Sequence, residues 1–283
     1  MKIVKKLIIG IILICCADSV GADTASELLE HYRNKTPVSD FPADLNLNQA
    51  AAVQSELVTR LSDTLGPVVG YKAGLTNPAV QQQFGVDHPL RGVLLEKMLL
   101  ADGAELPAAF GAVPMSEGDL VVRVGDTAIN QASTPVEALA GLDAVMPFIE
   151  LPDLMLAKGV RLDAVAITAI NVGARYGVIG EAIALSATEE WYERLKNFRL
   201  EILDGEGNIL VEGTGTNLLG DPLAVVLWLK DSLAADGISL QVGDLLSLGT
   251  VTRLLPAKPG TRVVARYSGL DPAGPVSISV AFR

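Results

Sequence analysis

A series of short β-type runs after Pro67 is the feature that most constrains the fold. Glycine, proline, asparagine and aspartate separate the runs, as expected for strands joined by turns. Residues 198–213 are predicted to form a hairpin around the sequence DGEG. Because the chain shows no βαβ alternation and no G-x-G-x-x-G motif after a strand, we predict a β-rich α+β fold, not a doubly wound one. The runs are VVGYKAG, DLVVRVG, FRLEILD, GNILVEG, DLLSLGTV, TRVVARY and VSISVAF.

The first 22 residues have the pattern of a cleaved secretory signal peptide. The basic start MKIVKK precedes the apolar run LIIGIILICCA, which is too short to span a bilayer comfortably. Small residues follow at Val20-Gly21-Ala22, as a signal peptidase requires. We predict cleavage before Asp23, export to the periplasm or beyond, and no membrane association afterwards. An uncleaved anchor and a lipoprotein cleavage at Cys15-Cys16 are the alternatives.

Helical patterns precede and interrupt the β-type runs. Residues 46–66 carry apolar side chains every three to four positions and are followed by a stop at Gly66-Pro67, which predicts an amphipathic helix. The capping box TPVE starts a second helix at Thr134, and an Asp-Pro pair starts a third that ends near Gly237. We therefore divide the mature chain into a helical N-terminal segment, residues 23–69, and a β-rich domain, residues 70–283.

The composition excludes several classes of function. Without residues 1–22 the formal net charge changes from −11 to −13, and such an acidic chain is unsuited to nucleic-acid binding. Both cysteines lie in the predicted signal peptide, so the mature protein has no disulfide, thiolate metal site or cysteine nucleophile. His31 and His88 are the only histidines, which argues against a His-rich zinc site or a Ser-His-Asp triad. Any metal chemistry must therefore use acidic residues.

Three carboxylates are candidates for a metal site. Glu117 and Asp119, in MSEGDLVV, share one face of a predicted strand, and on spacing alone a solvated strand face is the alternative. Glu150 lies in the apolar segment AVMPFIELPDLML, where an unpaired carboxylate is costly, so it needs a cation nearby. A salt bridge to Arg175 or Lys158 would meet that need, and so would a metal. Oxygen ligands without His or Cys select Mg²⁺ or Mn²⁺ before Zn²⁺.

Lys72 lies between apolar residues and glycines in VVGYKAGLT. A lysine in such surroundings is costly unless it is paired, and burial can lower a lysine pKa toward values that suit proton transfer. The alternative is that the aliphatic stem of Lys72 is buried while its ammonium reaches the surface.

The segment GYKAGLTNPAVQQQFGVDHP, followed by the acidic pair and then Glu150, resembles the 2-keto-4-pentenoate hydratase and oxalocrotonate decarboxylase group of the fumarylacetoacetate hydrolase superfamily. The similarity continues through GTGTNLLGDPLAVVLWL and VGDLLSLGTV and covers roughly residues 45–283. The resemblance implies a mixed, rolled β-sheet, a homo-oligomer, and Mg²⁺ or Mn²⁺ held by Glu117, Asp119 and Glu150. In this group the metal binds a small 2-oxo acid and stabilises its enolate as a Lewis acid.

The resemblance also implies roles for other residues. Lys72 becomes the candidate for catalytic proton transfer, and Thr76 and Asn171 become candidates for substrate binding, although Asn171 is one residue out of simple register. Hydratases of the group add water to 2-hydroxypenta-2,4-dienoate to give 4-hydroxy-2-oxopentanoate. Decarboxylases of the group remove CO₂ from a related dicarboxylate.

The sequence departs from the group at several positions. Asp119 replaces the second glutamate of the metal pair, Leu90 replaces an acidic residue, Leu248 replaces a threonine, and the arginine of a G-R-G segment is missing. Asp87 and His88 are the nearby candidates to take over the acid/base role of the missing carboxylate.

We therefore expect a divalent-metal-dependent lyase that acts on a small unsaturated 2-oxo acid, a hydratase of the 2-hydroxypenta-2,4-dienoate type. A decarboxylase and an acylpyruvate hydrolase are alternatives within the superfamily. A non-catalytic periplasmic protein that binds 2-oxo acids is the alternative from another class; Leu90 favours it, whereas Lys72 and the carboxylates favour turnover.

Overall fold

The computed structural model of the protein describes residues 15–283, so the start of the predicted signal peptide lies outside the described residues. Within this range, no helix has both the length and the apolar composition needed to cross a membrane. The helices are α1 (Cys15–Asn34), α2 (Leu47–Leu65), α3 (Pro78–Phe84), α4 (Pro135–Ala140), α5 (Ala164–Ala169), α6 (Glu189–Asn197) and α7 (Pro222–Ala235).

The strands form two sheets. Their order along the chain is β1 (Val68–Gly74), β2 (Leu90–Leu95), β3 (Leu99–Ala101), β4 (Ala104–Leu106), β5 (Met115–Val124), β6 (Leu142–Leu151), β7 (Tyr176–Ile179), β8 (Ile183–Ala184), β9 (Arg199–Leu203), β10 (Ile209–Thr214), β11 (Leu245–Ser247), β12 (Leu255–Pro256), β13 (Thr261–Asp271) and β14 (Gly274–Phe282).

The larger sheet has the spatial order β2-β1-β11-β5-β6-β7-β3, with β12 beside β5 and β8 beside β6. It is mixed, because β1 runs parallel to β11 but antiparallel to β2. The second sheet has the order β10-β9-β13-β14-β4. The β-rich α+β prediction is therefore confirmed, as is the predicted hairpin, whose strands are β9 and β10.

The main core fills the space between the two sheets. Leu120 and Val122 of β5 belong to the same buried cluster as Leu200 and Ile202 of β9. Gly118 marks a close approach of the sheets, because a Cβ atom there would lie 2.4 Å from the side chain of Leu200. One face of β5 is thus committed to the core, which leaves the other face available for a site.

A second apolar cluster joins the N-terminal helices to the rest of the protein. Leu28 of α1 and Leu57 of α2 are buried with Ala166 of α5. Helix α2 begins after Asn46, whose side chain caps Gln49, and ends at Gly66, as the sequence pattern predicts. The N-terminal helices therefore pack against elements of the larger domain.

Candidate metal and substrate site

The carboxylates of Glu117 and Asp119 lie on the face of β5 that points away from the main core. Both are buried, with exposed fractions of 5% and 0%. The alternative of a solvated strand face is therefore wrong. Alternation along the strand separates them from Leu120 and Val122, which lie in the core between the sheets.

Glu150 lies opposite Glu117, as its register partner in the antiparallel pairing of β5 and β6. Directly opposed side chains share a face and have Cβ atoms about 4.5–5.5 Å apart. Glu150 forms an ion pair with Lys72, and both side chains are 3% exposed. A salt bridge therefore does meet the need of Glu150, but with Lys72 and not with Arg175 or Lys158. The alternative of a surface-reaching Lys72 is wrong. Arg175 pairs with Asp153 instead, at 3.1 Å.

Lys72 reaches Glu150 because the larger sheet is rolled. Strands β1 and β6, which carry the two residues, are separated by β11 and β5 in the sheet order. The ammonium of Lys72 also donates to the carbonyl oxygen of Val172 at 3.0 Å. Gly92 leaves room for the lysine stem, because a Cβ atom at Gly92 would lie 2.7 Å from Cγ of Lys72.

Hydroxyl groups hold the other two carboxylates. Oγ1 of Thr250 donates to Oε2 of Glu117 at 2.8 Å. The hydroxyl of Ser247 donates to Oδ2 of Asp119, and the backbone N–H of Leu120 donates to Oδ1 of Asp119 at 2.5 Å. Sequence analysis did not identify these partners, although Ser247 and Thr250 lie in the segment SLGT that it had singled out.

The electrostatics of this cluster are unbalanced. Burial, and then repulsion by the Glu150 charge, raise the pKa of Glu117 well above its ordinary value. The same two causes raise the pKa of Asp119, and Lys72 offsets them only in part. Oε2 of Glu150 is buried and has no hydrogen-bond partner among the described residues. One lysine thus faces three carboxylates, which leaves an excess of buried negative charge when all are ionised.

The donor set fits a hard divalent cation. Carboxylate oxygens are the ligands that Mg²⁺ and Mn²⁺ prefer, and a cation would neutralise the excess charge and engage the unpartnered oxygen of Glu150. Within residues 15–283, no three acidic, histidine or cysteine side chains stand close enough together to enclose a cation. In this structure Lys72 contacts Glu150, and hydroxyl groups contact Glu117 and Asp119.

Tyr267 connects the second sheet to the strands that carry the carboxylates. Its ring is fully buried, and its hydroxyl lies 2.6 Å from the carbonyl oxygen of Asp119 and 2.8 Å from that of Phe148. The hydroxyl oxygen of Tyr267 also accepts a hydrogen bond from the backbone N–H of Phe148 at 3.0 Å. Asp119 and Phe148 are register partners, so the hydroxyl bridges β5 and β6 beside the carboxylate cluster.

A cavity of about 430 Å³ opens beside this cluster, a volume within the range typical of small-molecule sites. Lys72, Glu117 and Thr250 contribute to its lining. Thr76, predicted to bind substrate, also lines the cavity. Its hydroxyl is buried and has no hydrogen-bond partner among the described residues, so it is free to meet a ligand.

Asn171, the other predicted substrate-binding residue, does not line the cavity. Its side-chain amide bonds both the N–H and the carbonyl oxygen of Val93, at 2.8 and 2.9 Å, and also accepts a hydrogen bond from Gln54 at 3.0 Å. These contacts hold the backbone of β2, and we give Asn171 no part in substrate binding.

Asn171–Gly173 is a short left-handed segment, and its residues Val172 and Gly173 line the cavity. Val172 has φ +53°, which is a strained conformation for a β-branched residue. Strain of this kind persists only where the surroundings impose it, often at functional sites. Here it directs the Val172 carbonyl oxygen to Lys72 and brings Cγ1 of Val172 against Gly74.

The positions that depart from the group lie in different surroundings. Leu90 is buried in an apolar cluster beside the cavity, and Leu248 is buried in the main core. His88 is exposed and stacks on Trp228 at 6.5 Å between ring centroids. Neither His88 nor Asp87 lines the cavity, so neither replaces the missing carboxylate there.

Comparison with known proteins identifies the family. No model of a known protein family matches the chain. A curated relative, 2-keto-4-pentenoate hydratase 1 from Dechloromonas aromatica (strain RCB), is 30% identical over 260 residues, which cover 90% of this chain and 96% of that protein. The chain belongs to the 2-keto-4-pentenoate hydratase family.

Solved structures share the fold of this hydratase-family chain. The structure of 4-oxalocrotonate decarboxylase from Pseudomonas putida G7, complexed with magnesium and adipate, matches with a TM-score of 0.81 at 24% identity, over 94% of this chain and 98% of that one. Fumarylpyruvate hydrolase from Pseudomonas aeruginosa, in complex with Mn²⁺ and pyruvate, matches with a TM-score of 0.54 at 17% identity, over 75% and 89%. The predicted relationship to 2-keto-4-pentenoate hydratases is confirmed by the curated relative, and the predicted rolled-sheet fold is confirmed by the solved structures.

Proposed function

We propose that this hydratase-family protein is a divalent-metal-dependent lyase that hydrates a small unsaturated 2-oxo acid of the 2-hydroxypenta-2,4-dienoate type. The observation that carries the proposal is the buried excess of carboxylate charge at the wall of a ligand-sized cavity, with Lys72 as the contacting cation. The hydratase relative and the metal complexes of the two solved structures agree with it.

Glu117, Asp119 and Glu150 would hold Mg²⁺ or Mn²⁺, and the metal would supply Lewis acidity toward the carboxylate and 2-oxo group of the substrate. Glu150 would offer the metal Oε2, which has no hydrogen-bond partner among the described residues, while its Oε1 contacts Lys72. Lys72 lines the cavity, where its side chain would give a proton as the ammonium or take one as the amine at a substrate carbon. The Thr76 hydroxyl, which has no partner among the described residues, would accept a hydrogen bond from the substrate or donate one to it.

Calorimetry tests the metal site. Metal-free protein is titrated with Mg²⁺ and with Mn²⁺, alone and with pyruvate or oxalate present. We expect binding that is tightened by the 2-oxo acid, and strongly weakened binding in Glu150→Gln. Full metal affinity in Glu150→Gln would show that the ligand assignment is wrong.

A diene absorbance assay with 2-hydroxypenta-2,4-dienoate then tests turnover. We expect Mg²⁺-dependent loss of the diene in the wild type, formation of 4-hydroxy-2-oxopentanoate, and at least about 100-fold slower turnover in Lys72→Met, as for loss of an acid/base group. Equal rates in the two proteins would remove Lys72 from the mechanism.

A non-catalytic 2-oxo acid binding protein is the second candidate, and Leu90 favours it. The side chain at this position is buried among apolar residues, so no carboxylate is available there for acid/base chemistry. Metal-dependent binding of pyruvate without turnover of any dienoate would establish this candidate. A gain of hydratase rate in Leu90→Asp would indicate a site that has lost one catalytic group.

We further propose that the protein is exported and processed before Asp23. Support comes from the sequence pattern of residues 1–22 and from the position of the buried contacts, which include Ala25 and Leu28 after the proposed cleavage site. The intact mass of the protein recovered from the periplasm tests the cleavage position. An intact N-terminus would contradict it.

A further inference from the structure

The cavity has an extended apolar wall beyond its carboxylate cluster. Part of this wall is one hydrophobic cluster, which also contains the buried side chain of Leu90. Other apolar side chains come from α3 and from the segments that follow β6 and β11. The members of the cluster that line the cavity are Leu75, Phe84, Leu162, Ile167 and Val172.

Charged groups line the cavity at few points. In the described part of the chain, Arg253 is the one charged lining residue besides Lys72 and Glu117. Arg253 is exposed, and its guanidinium donates to the carbonyl oxygen of Leu210 at 3.4 Å. A carboxylate placed against the apolar cluster would therefore lose its hydration without gaining a buried cation, which is unfavourable.

We propose that the site selects 2-oxo acids whose chain ends in an alkyl or aryl group over 2-oxo acids that end in a second carboxylate. This inference rests on the proposed function, which places the 2-oxo acid group at the carboxylate cluster and so directs the rest of the substrate along the apolar wall. Each methylene buried there should tighten binding about fourfold, which is roughly 0.8 kcal/mol at about 1.4 kcal/mol per factor of ten.

Saturated 2-oxo acids test the inference, because they bind without reacting. Calorimetry with Mg²⁺-loaded full-length protein compares pyruvate, 2-oxopentanoate and 2-oxohexanoate, which differ only in chain length. A second comparison sets 2-oxohexanoate against 2-oxoadipate, which has the same number of carbons and a terminal carboxylate. We expect affinity to rise along the first series and 2-oxohexanoate to bind at least about tenfold more tightly than 2-oxoadipate.

A charge introduced into the wall should reverse the selectivity. The variant Leu162→Lys places a cation in the wall, because Leu162 is half-buried, precedes α5 and lines the cavity. This variant should bind 2-oxoadipate more tightly than 2-oxohexanoate. Val242→Lys is the matched control, because Val242 is 64% exposed and does not line the cavity. Circular dichroism checks that both variants fold; if Leu162→Lys does not, the wild-type series alone decides.

The outcomes separate this inference from the proposed function. Pyruvate binding without any gain from longer chains, or equal binding of 2-oxohexanoate and 2-oxoadipate, overturns the inference and leaves the proposed function intact. A preference for apolar chains that does not depend on Mg²⁺ supports the inference and contradicts the proposed metal function. Absence of binding by every 2-oxo acid of the series overturns both.

Discussion

Glu117 and Glu150 are register partners on β5 and β6, and both are buried. Like charges placed directly opposite each other destabilise a pair of strands, and burial increases the effect. Lys72 contacts Glu150 and so compensates for one of the charges. The arrangement lowers the stability of the metal-free fold, which is typical of a site whose residues serve binding or catalysis.

Glu117→Gln should therefore separate stability from metal binding. Loss of one buried charge is expected to raise the unfolding free energy of the metal-free protein by about 1 kcal/mol. The same change removes a proposed ligand, so Mg²⁺ affinity should fall by at least about 100-fold. Urea unfolding and calorimetry measure the two quantities. A variant that is less stable than the wild type without metal would show that the charge of Glu117 is already balanced.

The contribution of Glu117 and Asp119 to the stability of the metal-free protein should fall as the pH rises. The pKa values of Glu117 and Asp119 are raised in the folded state, so between the ordinary and the raised values the folded chain holds more protons than the unfolded chain. Stability contributed by these groups is therefore lost as the pH rises through that window.

Urea midpoints measured from about pH 5 to about pH 8 test this dependence. Other acidic groups contribute as well, so the informative quantity is the difference between the wild type and the double variant Glu117→Gln, Asp119→Asn. We expect a shallower decline in the double variant. Saturating Mg²⁺ should flatten the wild-type profile, because the metal binds the ionised carboxylates. Parallel wild-type and double-variant profiles would contradict the raised pKa values.

Tyr267 lies on the second sheet, and Tyr267→Phe should nevertheless weaken metal binding. The substitution leaves the backbone N–H of Phe148 without its partner, at a cost of about 1–3 kcal/mol, and loosens the bridge between β5 and β6 beside Asp119. We expect Mg²⁺ affinity to fall by about tenfold. Tyr32→Phe is the control, because the Tyr32 hydroxyl is buried without a hydrogen-bond partner among the described residues. Unchanged affinity in Tyr267→Phe would limit the tyrosine to a packing role.

Local signals in the sequence were sufficient to predict the helix that ends at Gly66, the capping box at Thr134 and the two faces of β5. Each of these depends on residues close together in the chain. Strand β6 was harder to recognise, because nearly all of its residues are buried and its sequence lacks the polar and apolar alternation of a half-exposed strand.

The contacts within the candidate site were beyond the reach of sequence patterns. Lys72 and Glu150 are 78 residues apart, and their contact depends on the roll of the sheet, which no local pattern encodes. The same holds for Tyr267, which arrives from the second sheet. Sequence analysis named Lys72 and Glu150 because burial of a charge requires a partner, but it could not choose among the possible partners.

Gly92→Ala should displace the side chain of Lys72 without directly contacting the carboxylates. A Cβ atom at this position would lie 2.7 Å from Cγ of Lys72 and 2.9 Å from the carbonyl oxygen of Asn171, so the lysine stem must move. Because the ammonium then loses its alignment with Glu150 and with the cavity, we expect turnover to fall by at least about tenfold while Mg²⁺ affinity changes much less.

Gly205→Ala is the matched control for Gly92→Ala. The new Cβ atom at Gly205 would have Cβ of Arg262 as its nearest neighbour, at 3.5 Å, which is ordinary van der Waals contact. Steady-state kinetics and calorimetry on both variants separate turnover from metal binding. An equal loss of both quantities in Gly92→Ala would mean that the added methyl group distorts the strand as a whole. Loss of turnover alone would assign the defect to the position of Lys72.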